Sequence, residues 1–246
     1  MIISGQAQVL PAAVVTIGFA LLARGLRAVT DGGALAGAVI ALLLMMAGGL
    51  WAFAPLVAVF VLTLLATRWR AERKRTLGVA ERRGGRNAAQ VVANLGGAGL
   101  CALAAVLFPK HAAGLMVGAI AVLAEAAADT VSSEAGQSIA SQPRMILGFG
   151  LAPAGTNGAI SLAGTFAGGI AASVVAGTAA LCGVVAWRWA PILALAGVLG
   201  MLFDSVLGAT FENRGKMGND AVNFVSTVFA ADLALLVVVI LQRRVG

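Results

Sequence analysis

Eight apolar runs of membrane-spanning length, separated by short polar or Gly/Pro-bearing breaks, occupy almost the whole chain. A helix needs about 20 apolar residues to cross the hydrocarbon core of a bilayer. Backbone polar groups in lipid must be satisfied within the segment, so runs of this kind lead to an all-α bundle. They lie near 8–28, 33–48, 51–67, 88–108, 112–138, 158–186, 190–210 and 220–242. The second and third are short and meet at "GGLWAFAP", which reads as a tight hairpin or as one broken element. Of 246 residues, 60% are hydrophobic and 11% charged, against about 25% charged in soluble domains. The expectation is one integral membrane domain over 1–246, a polytopic bundle of about eight transmembrane helices (six to eight), with no room for a soluble domain. The first charged residue is Arg24, which argues against a cleaved signal peptide. Cys101 and Cys182 lie in apolar runs and read as packing residues.

The stretch 68–86, "RWRAERKRTLGVAERRGGR", carries eight Lys/Arg against two Glu. The positive-inside rule puts this loop in the cytoplasm. With eight spans, Arg24, Arg27, those eight residues, Arg144, Arg214 and Lys216 share its side, while Lys110, Arg188, Arg243 and Arg244 take the other. The net charge of +7 therefore reads as loop asymmetry and not as affinity for nucleic acid. Both termini are expected outside the cytoplasm, in a multi-pass protein of the cell (inner) membrane. The Arg243–Arg244 pair alone pulls the other way. The polar segments 130–158 and 205–223 fall on the face of the basic loop.

Ionisable groups at membrane depth are expensive unless paired, metal-bound or facing a wet cavity, so each is a functional hypothesis. In "EAAADTVSSEAGQ", Glu125, Asp129 and Ser132 or Ser133 recur at helical spacing on one face. Glu134 would sit roughly opposite Asp129 if the helix continued; either the helix ends near Ser132 and Glu134 turns back, or Glu134 faces the cytoplasm. In "GLAPAGTNGAISLAGTFAGG", Asn157, Ser161 and Thr165 fall at i, i+4, i+8 beyond a Gly/Pro turn. Such a turn feeding a helix N-terminus can cradle phosphate; equally, its small residues can let helices approach closely. In "FDSVLGATFENRGKMGNDAVNFVST", Asp204, Gly208 and Glu212 share a face beside Ser205, and Asn219, Asn223, Ser226 and Thr227 form a second stripe across the Lys216 turn. Carboxylates, amides and a lysine suit Mg²⁺ and phosphates; a solvated turn with ordinary caps is the plainer alternative. Arg86, Gln90 and Asn94 share a face in "RNAAQVVANLGG". No Walker motif or dinucleotide fingerprint is present, and His111 is the single histidine.

Read in order, "QVVANLGG", "ADTVSSEAGQ" followed by "PR", "APAGTNGAISLAGTFAG", "FDSVLGATFE" and "NDAVNF" resemble the integral membrane family once called domain of unknown function 92. That family includes transmembrane protein 19 and the plant and cyanobacterial phytyl-phosphate kinases, and the resemblance spans about residues 33–240. It implies Mg²⁺-dependent phosphoryl transfer from a nucleoside triphosphate, CTP favoured, to a prenyl monophosphate such as phytyl or geranylgeranyl phosphate, giving the diphosphate. Placed on matching positions, Asp129, Glu134, Asp204 and Lys216 become the expected catalytic set. Arg86, Asn94, Ser132, Ser133, Gly155, Thr156, Asn157, Ser161, Ser205, Asn219 and Asn223 become substrate and phosphate contacts. Glu125, Asp129, Glu134 and Asp204 become the metal ligands. Two departures stand out: Ala135 replaces the family's usual hydrophobic residue after "SSE", and "GTDGG"-like patterns read "GTNGA", so Asn157 brings no negative charge. Ion-coupled secondary transport is the rival reading, because broken Gly-rich helices and intramembrane carboxylates also make ion sites. Another CTP-dependent lipid-headgroup enzyme is a third. The expected partners are a prenyl-phosphate lipid, a nucleoside triphosphate and membrane lipids.

Overall fold

A computed structural model describes residues 6–78, 84–139 and 142–243. Among them are eight long helices: α1 (Gln6–Gly25), α2 (Asp31–Gly48), α3 (Phe53–Arg68), α5 (Ala88–Leu107), α6 (Ala112–Ile139), α7 (Leu162–Leu181), α8 (Ala190–Leu207) and α9 (Asn219–Arg243). A short α4 (Ala71–Thr76) follows α3. Seven of the long helices are long and apolar enough to cross a membrane, and the apolar part of α1, Leu10–Gly25, is shorter. Exposed Leu, Val, Ile and Phe side chains cover the outside, from Leu10 and Leu21 on α1 to Leu236 and Ile240 on α9. Trp51 and Trp187 are exposed at one end and Trp69 at the other, the levels at which indole rings sit at the headgroups.

The bundle is built around α6. Every residue from Met116 to Ala128 is buried, because α3, α5, α7, α8 and α9 all pack on this helix. The stretch "GAIAVLAEAAAD" is small for that reason: without bulk, backbones approach closely. The neighbours answer in kind. A Cβ on Gly168 of α7 would fall 2.8 Å from the Ala128 carbonyl oxygen, and one on Gly197 of α8 would fall 2.9 Å from the Ala124 carbonyl carbon.

The break at "GGLWAFAP" is a hairpin. Gly49 adopts φ 78, ψ 176, a region essentially reserved for glycine, and a 3-10 turn over Leu50–Ala52 starts α3 back towards the basic end. There Arg68 Nη2 donates to the Leu26 carbonyl oxygen (2.8 Å) and Arg70 Nη1 to that of Ser138 (3.1 Å). The C-termini of α1, α3 and α6 therefore share one end of the molecule. Residues 79–83 of the basic stretch, with Arg82 and Arg83, and Arg244 lie outside the described residues.

Two expectations are corrected. Helix α6 runs to Ile139, in keeping with the apolar run to 138, but Glu134 neither turns back nor stands exposed at the helix end: it is buried on the helix. The sixth run, which forms α7, starts at Leu162 instead of 158, because Ser161 is its N-cap and its Oγ accepts from Gly164 N (3.0 Å). The residues before it form a small hairpin in which β1 (Arg144–Met145) pairs antiparallel with β2 (Ala159–Ile160). Asn157 therefore lies in the hairpin turn, and the expected helical stripe Asn157–Ser161–Thr165 does not form.

Candidate functional site

The hairpin, the last turns of α6 and α8, the first turn of α9 and the start of α5 enclose a polar cleft of about 380 Å³ at the basic end. Its walls are assembled from five separate stretches of chain, each held by a local device. On the α5 side, Asn87 and Gln90 form a reciprocal capping box (3.0 and 2.9 Å) that starts the helix immediately after Arg86. Arg86 itself is stitched to the α1–α2 turn: its N–H donates to Ala28 O and its carbonyl accepts from Thr30 N, both at 3.0 Å. Its guanidinium reaches Thr130 Oγ1 at 3.3 Å and lies within electrostatic range of Asp129.

On the α8 side, the helix changes register. Over Gly208–Glu212 it widens to a π-helical turn, closed by Asn213 N donating to Gly208 O at 3.1 Å. Such insertions recur at functional sites because one extra residue re-aims the side chains around it. Here Asp204, Gly208 and Glu212 all still line the cleft. The same turn receives the hairpin. Gly158 sits at φ +79, and a Cβ there would fall 2.5 Å from Ala209 Cβ, while Asn213 Nδ2 donates to Asn157 O at 3.0 Å. Asp204 Oδ2 accepts from Ser226 Oγ of α9 at 3.2 Å.

Two carboxylates are differently employed. Glu134 lines the cleft, yet its Oε2 is held by Lys74 Nζ, a lysine only 1% exposed. The same ammonium donates to the carbonyl oxygens of Ala66 (3.0 Å) and Thr67 (2.8 Å), so Lys74 closes the C-terminus of α3 as well. Glu125 lies one helical turn deeper than Asp129, outside the cleft lining, packed against Gly200, with electrostatic reach to Asp129 and Asp204. Among the described residues its Oε1 has no hydrogen-bond partner.

The family model described as integral membrane protein DUF92 matches residues 14–231. The chain belongs to that family. Among curated relatives, the DUF92 chain is similar to the chloroplastic Protein VTE6 of Arabidopsis thaliana, at 30% identity over 227 residues, 89% of this chain and 67% of the relative. It also resembles an uncharacterised membrane protein of Synechocystis, at 30% over 181 residues (72% and 70%), and one of Methanocaldococcus jannaschii, at 34% over 125 residues (50% and 51%). No solved structure matches.

The five motifs that carry the DUF92 resemblance fall on the five walls of the cleft. Arg86, Asn94, Asp129, Ser132, Ser133, Glu134, Gly155, Thr156, Asn157, Ser161, Asp204, Ser205, Asn219 and Asn223 all line it. Lys216 does not: it is exposed in the turn between α8 and α9. Several of the lining groups also have structural employment. Asn94 Nδ2 donates to Gln90 O (2.9 Å), Thr156 Oγ1 to Pro153 O (2.8 Å), and Ser205 Oγ lies 3.4 Å from Met201 O. Among the described residues, no group of three or more His, Cys, Asp or Glu side chains could hold a metal on protein ligands alone. Mg²⁺ commonly takes only one or two protein carboxylates, completing its octahedron with water and substrate phosphates. Asp129 and Asp204, with neutral amide and hydroxyl oxygens around them, fit that donor set. Sequence reading missed Lys74, one of many basic residues in a stretch expected to be solvated. Glu212 was visible as part of a stripe but was left out of the site.

Proposed function

We propose that the chain is a Mg²⁺-dependent prenyl-phosphate kinase that works at the cytoplasmic face and transfers a phosphoryl group from a nucleoside triphosphate, CTP favoured, to a prenyl monophosphate. The observation that carries the reading is a polar, carboxylate-lined cleft at the basic end of a membrane bundle, with Arg86 and Asp129 both in its lining. Membership of a family that includes phytyl-phosphate kinases supplies the reaction class, and the positive-inside rule supplies the orientation.

In this reaction an oxygen of the acceptor phosphate attacks the γ-phosphorus, the bond to the β-phosphate oxygen breaks, and the nucleoside diphosphate leaves. The acceptor is already anionic, so no strong general base is required, and catalysis rests on alignment and charge neutralisation. Arg86 holds the acceptor phosphate as a planar donor. The backbone of the Gly155–Gly158 turn, with Asn219 and Asn223 opposite, frames the donor phosphates. Asp129 and Asp204 would hold the metal, which would supply charge neutralisation to the phosphates. Ser226 orients Asp204 from behind.

The test is incubation of the purified protein in nanodiscs with Mg²⁺, CTP or ATP, and prenyl monophosphates of several lengths, with mass spectrometry for the diphosphates. A Mg²⁺-dependent product is expected. No product from folded protein with any donor or acceptor would overturn the reading. Glu125, a buried carboxylate at depth without a partner for Oε1, favours ion-coupled transport as the second reading, and ion-driven flux in sealed vesicles is its measurement.

A further inference from the structure

Behind the polar cleft lies a second cavity of about 380 Å³, bounded by α1, α2, α3 and α5, that the reaction chemistry does not use. Its walls are mostly apolar, with Thr16 and Thr63 among them, and change character at the basic end, where Arg27, Arg68 and Arg75 form the rim. On α3 the lining runs from Leu56 to Arg68, about 18 Å of helix at 1.5 Å per residue. The two cavities meet at one wall: Arg86, Gln90 and Asn94 line both.

Three further features mark the space as built to be filled. Gly37 of α2 lines it, and a Cβ added there would meet no atom within 4 Å. Thr16 of α1 lines it too; it is 6% exposed, and among the described residues its Oγ1 has no hydrogen-bond partner. Phe19 of α1 reaches across to Phe53 and Phe60 of α3, with ring centroids 5.0 and 4.8 Å away, so two aromatic contacts join α1 to α3 where they flank the cavity.

We infer that this chamber takes the hydrocarbon chain of an anionic lipid whose phosphate sits at the shared Arg86–Gln90–Asn94 wall. A largely apolar hole that ends in guanidinium groups and shares the Arg86–Gln90–Asn94 wall with a polar cleft suits an amphiphile with one long chain and an anionic head. Water alone gains little from such walls, and a soluble nucleotide has nothing to place there. The inference rests on the kinase reading for its choice of a prenyl chain, but the chamber's occupancy is independent of turnover. Chain length is then read by α2 at Gly37, because that position has space for a side chain and the chain's far end must pass it.

The test is photo-crosslinking in nanodiscs, without nucleotide, using a 20-carbon prenyl monophosphate with a diazirine at the end of its chain. Peptide mapping is expected to find the label on chamber residues of α1 and α3, such as Ala20, Phe60 and Thr63. Gly37→Leu is expected to lower that labelling about tenfold while leaving labelling by a five-carbon prenyl phosphate probe unchanged. Label confined to outward residues such as Leu21 and Leu65 in the unmodified protein would overturn the proposal without any variant having to fold. Chamber labelling from protein that makes no diphosphate would retain the lipid site and sink the kinase reading instead.

Discussion

Lys74 shows how a single residue can be mistaken for its neighbours. It stands in a run of arginines and is chemically indistinguishable from a solvated basic residue, yet its ammonium is inside the bundle on Glu134 and on two carbonyl groups of α3. Nothing in a linear pattern reports that, since α4 has to fold back before the contact exists. Breaking a buried pair from one side strands the other charge, so Lys74→Ala is expected to destabilise the protein by about 3–5 kcal/mol, seen as an earlier unfolding midpoint in detergent. Lys74→Met with Glu134→Leu together should recover most of that loss, because an apolar pair of similar volume strands no charge. Asp129 and Asp204 behave differently: Asp129→Asn and Asp204→Asn are each expected to lower diphosphate formation by about a hundredfold or more, with the unfolding midpoint close to that of the unmodified protein. Full activity in both variants would remove the metal assignment.

At the scale of the element, the long helices were legible from composition alone, and their ends were not. Apolar runs mark spans because lipid demands them, but ends are decided by caps and by what packs outside. Ser161 starts α7 four residues later than its apolar pattern suggests, and the turn before it is shaped by docking against α8. The π-helical turn at Gly208–Glu212 was equally invisible, since i, i+4, i+8 spacing of Asp204, Gly208 and Glu212 looks ideal for an ordinary helix. The Gly158–Ala209 contact offers the direct check. Gly158→Val puts a branched side chain at φ +79 and into Ala209, costing about 1–3 kcal/mol locally. The hairpin is expected to lift from α8, and a fluorescent nucleotide should bind at least several-fold more weakly while helical circular dichroism is retained. Undiminished nucleotide binding would show that the turn is not a wall of the site.

For the whole molecule, the charge map and the coordinates agree on one basic end. Arg68, Arg70, Arg86 and Arg144 lie at the end of the bundle that holds the cleft, while Lys110 and Arg188 sit at the other end among the outer turns. In a background lacking Cys101 and Cys182, single cysteines at Glu72 and Arg214 are expected to react with an impermeant thiol reagent from the cytoplasmic side, and those at Lys110 and Arg188 from the opposite side. Labelling of all four from one side would break the eight-span arrangement. The site as a set of motifs was readable in the sequence because membrane proteins cannot scatter polar groups at depth without reason. The lipid chamber was not, because its walls are made of the same Ala, Val, Leu and Gly residues that face lipid everywhere else.

The stitching of Arg86 to the α1–α2 turn ties the two cavities into one thermodynamic cycle. Thr30 and Ala28 hold its backbone, Gly33 lies so close that a Cβ would fall 2.4 Å from the Arg86 carbonyl oxygen, and the guanidinium beyond reaches Thr130 Oγ1 beside Asp129. Whatever shifts α1 and α2 apart also shifts Arg86, the group proposed to meet the phosphates. Linkage then requires that an occupied chamber alter the nucleotide's dissociation constant by the same factor by which nucleotide alters the lipid's. Two titrations, each with and without the other ligand, would measure it. A factor well above one would let the protein spare its nucleotide from idle hydrolysis while the chamber stands empty, and a factor of one would mean that the stitch transmits nothing.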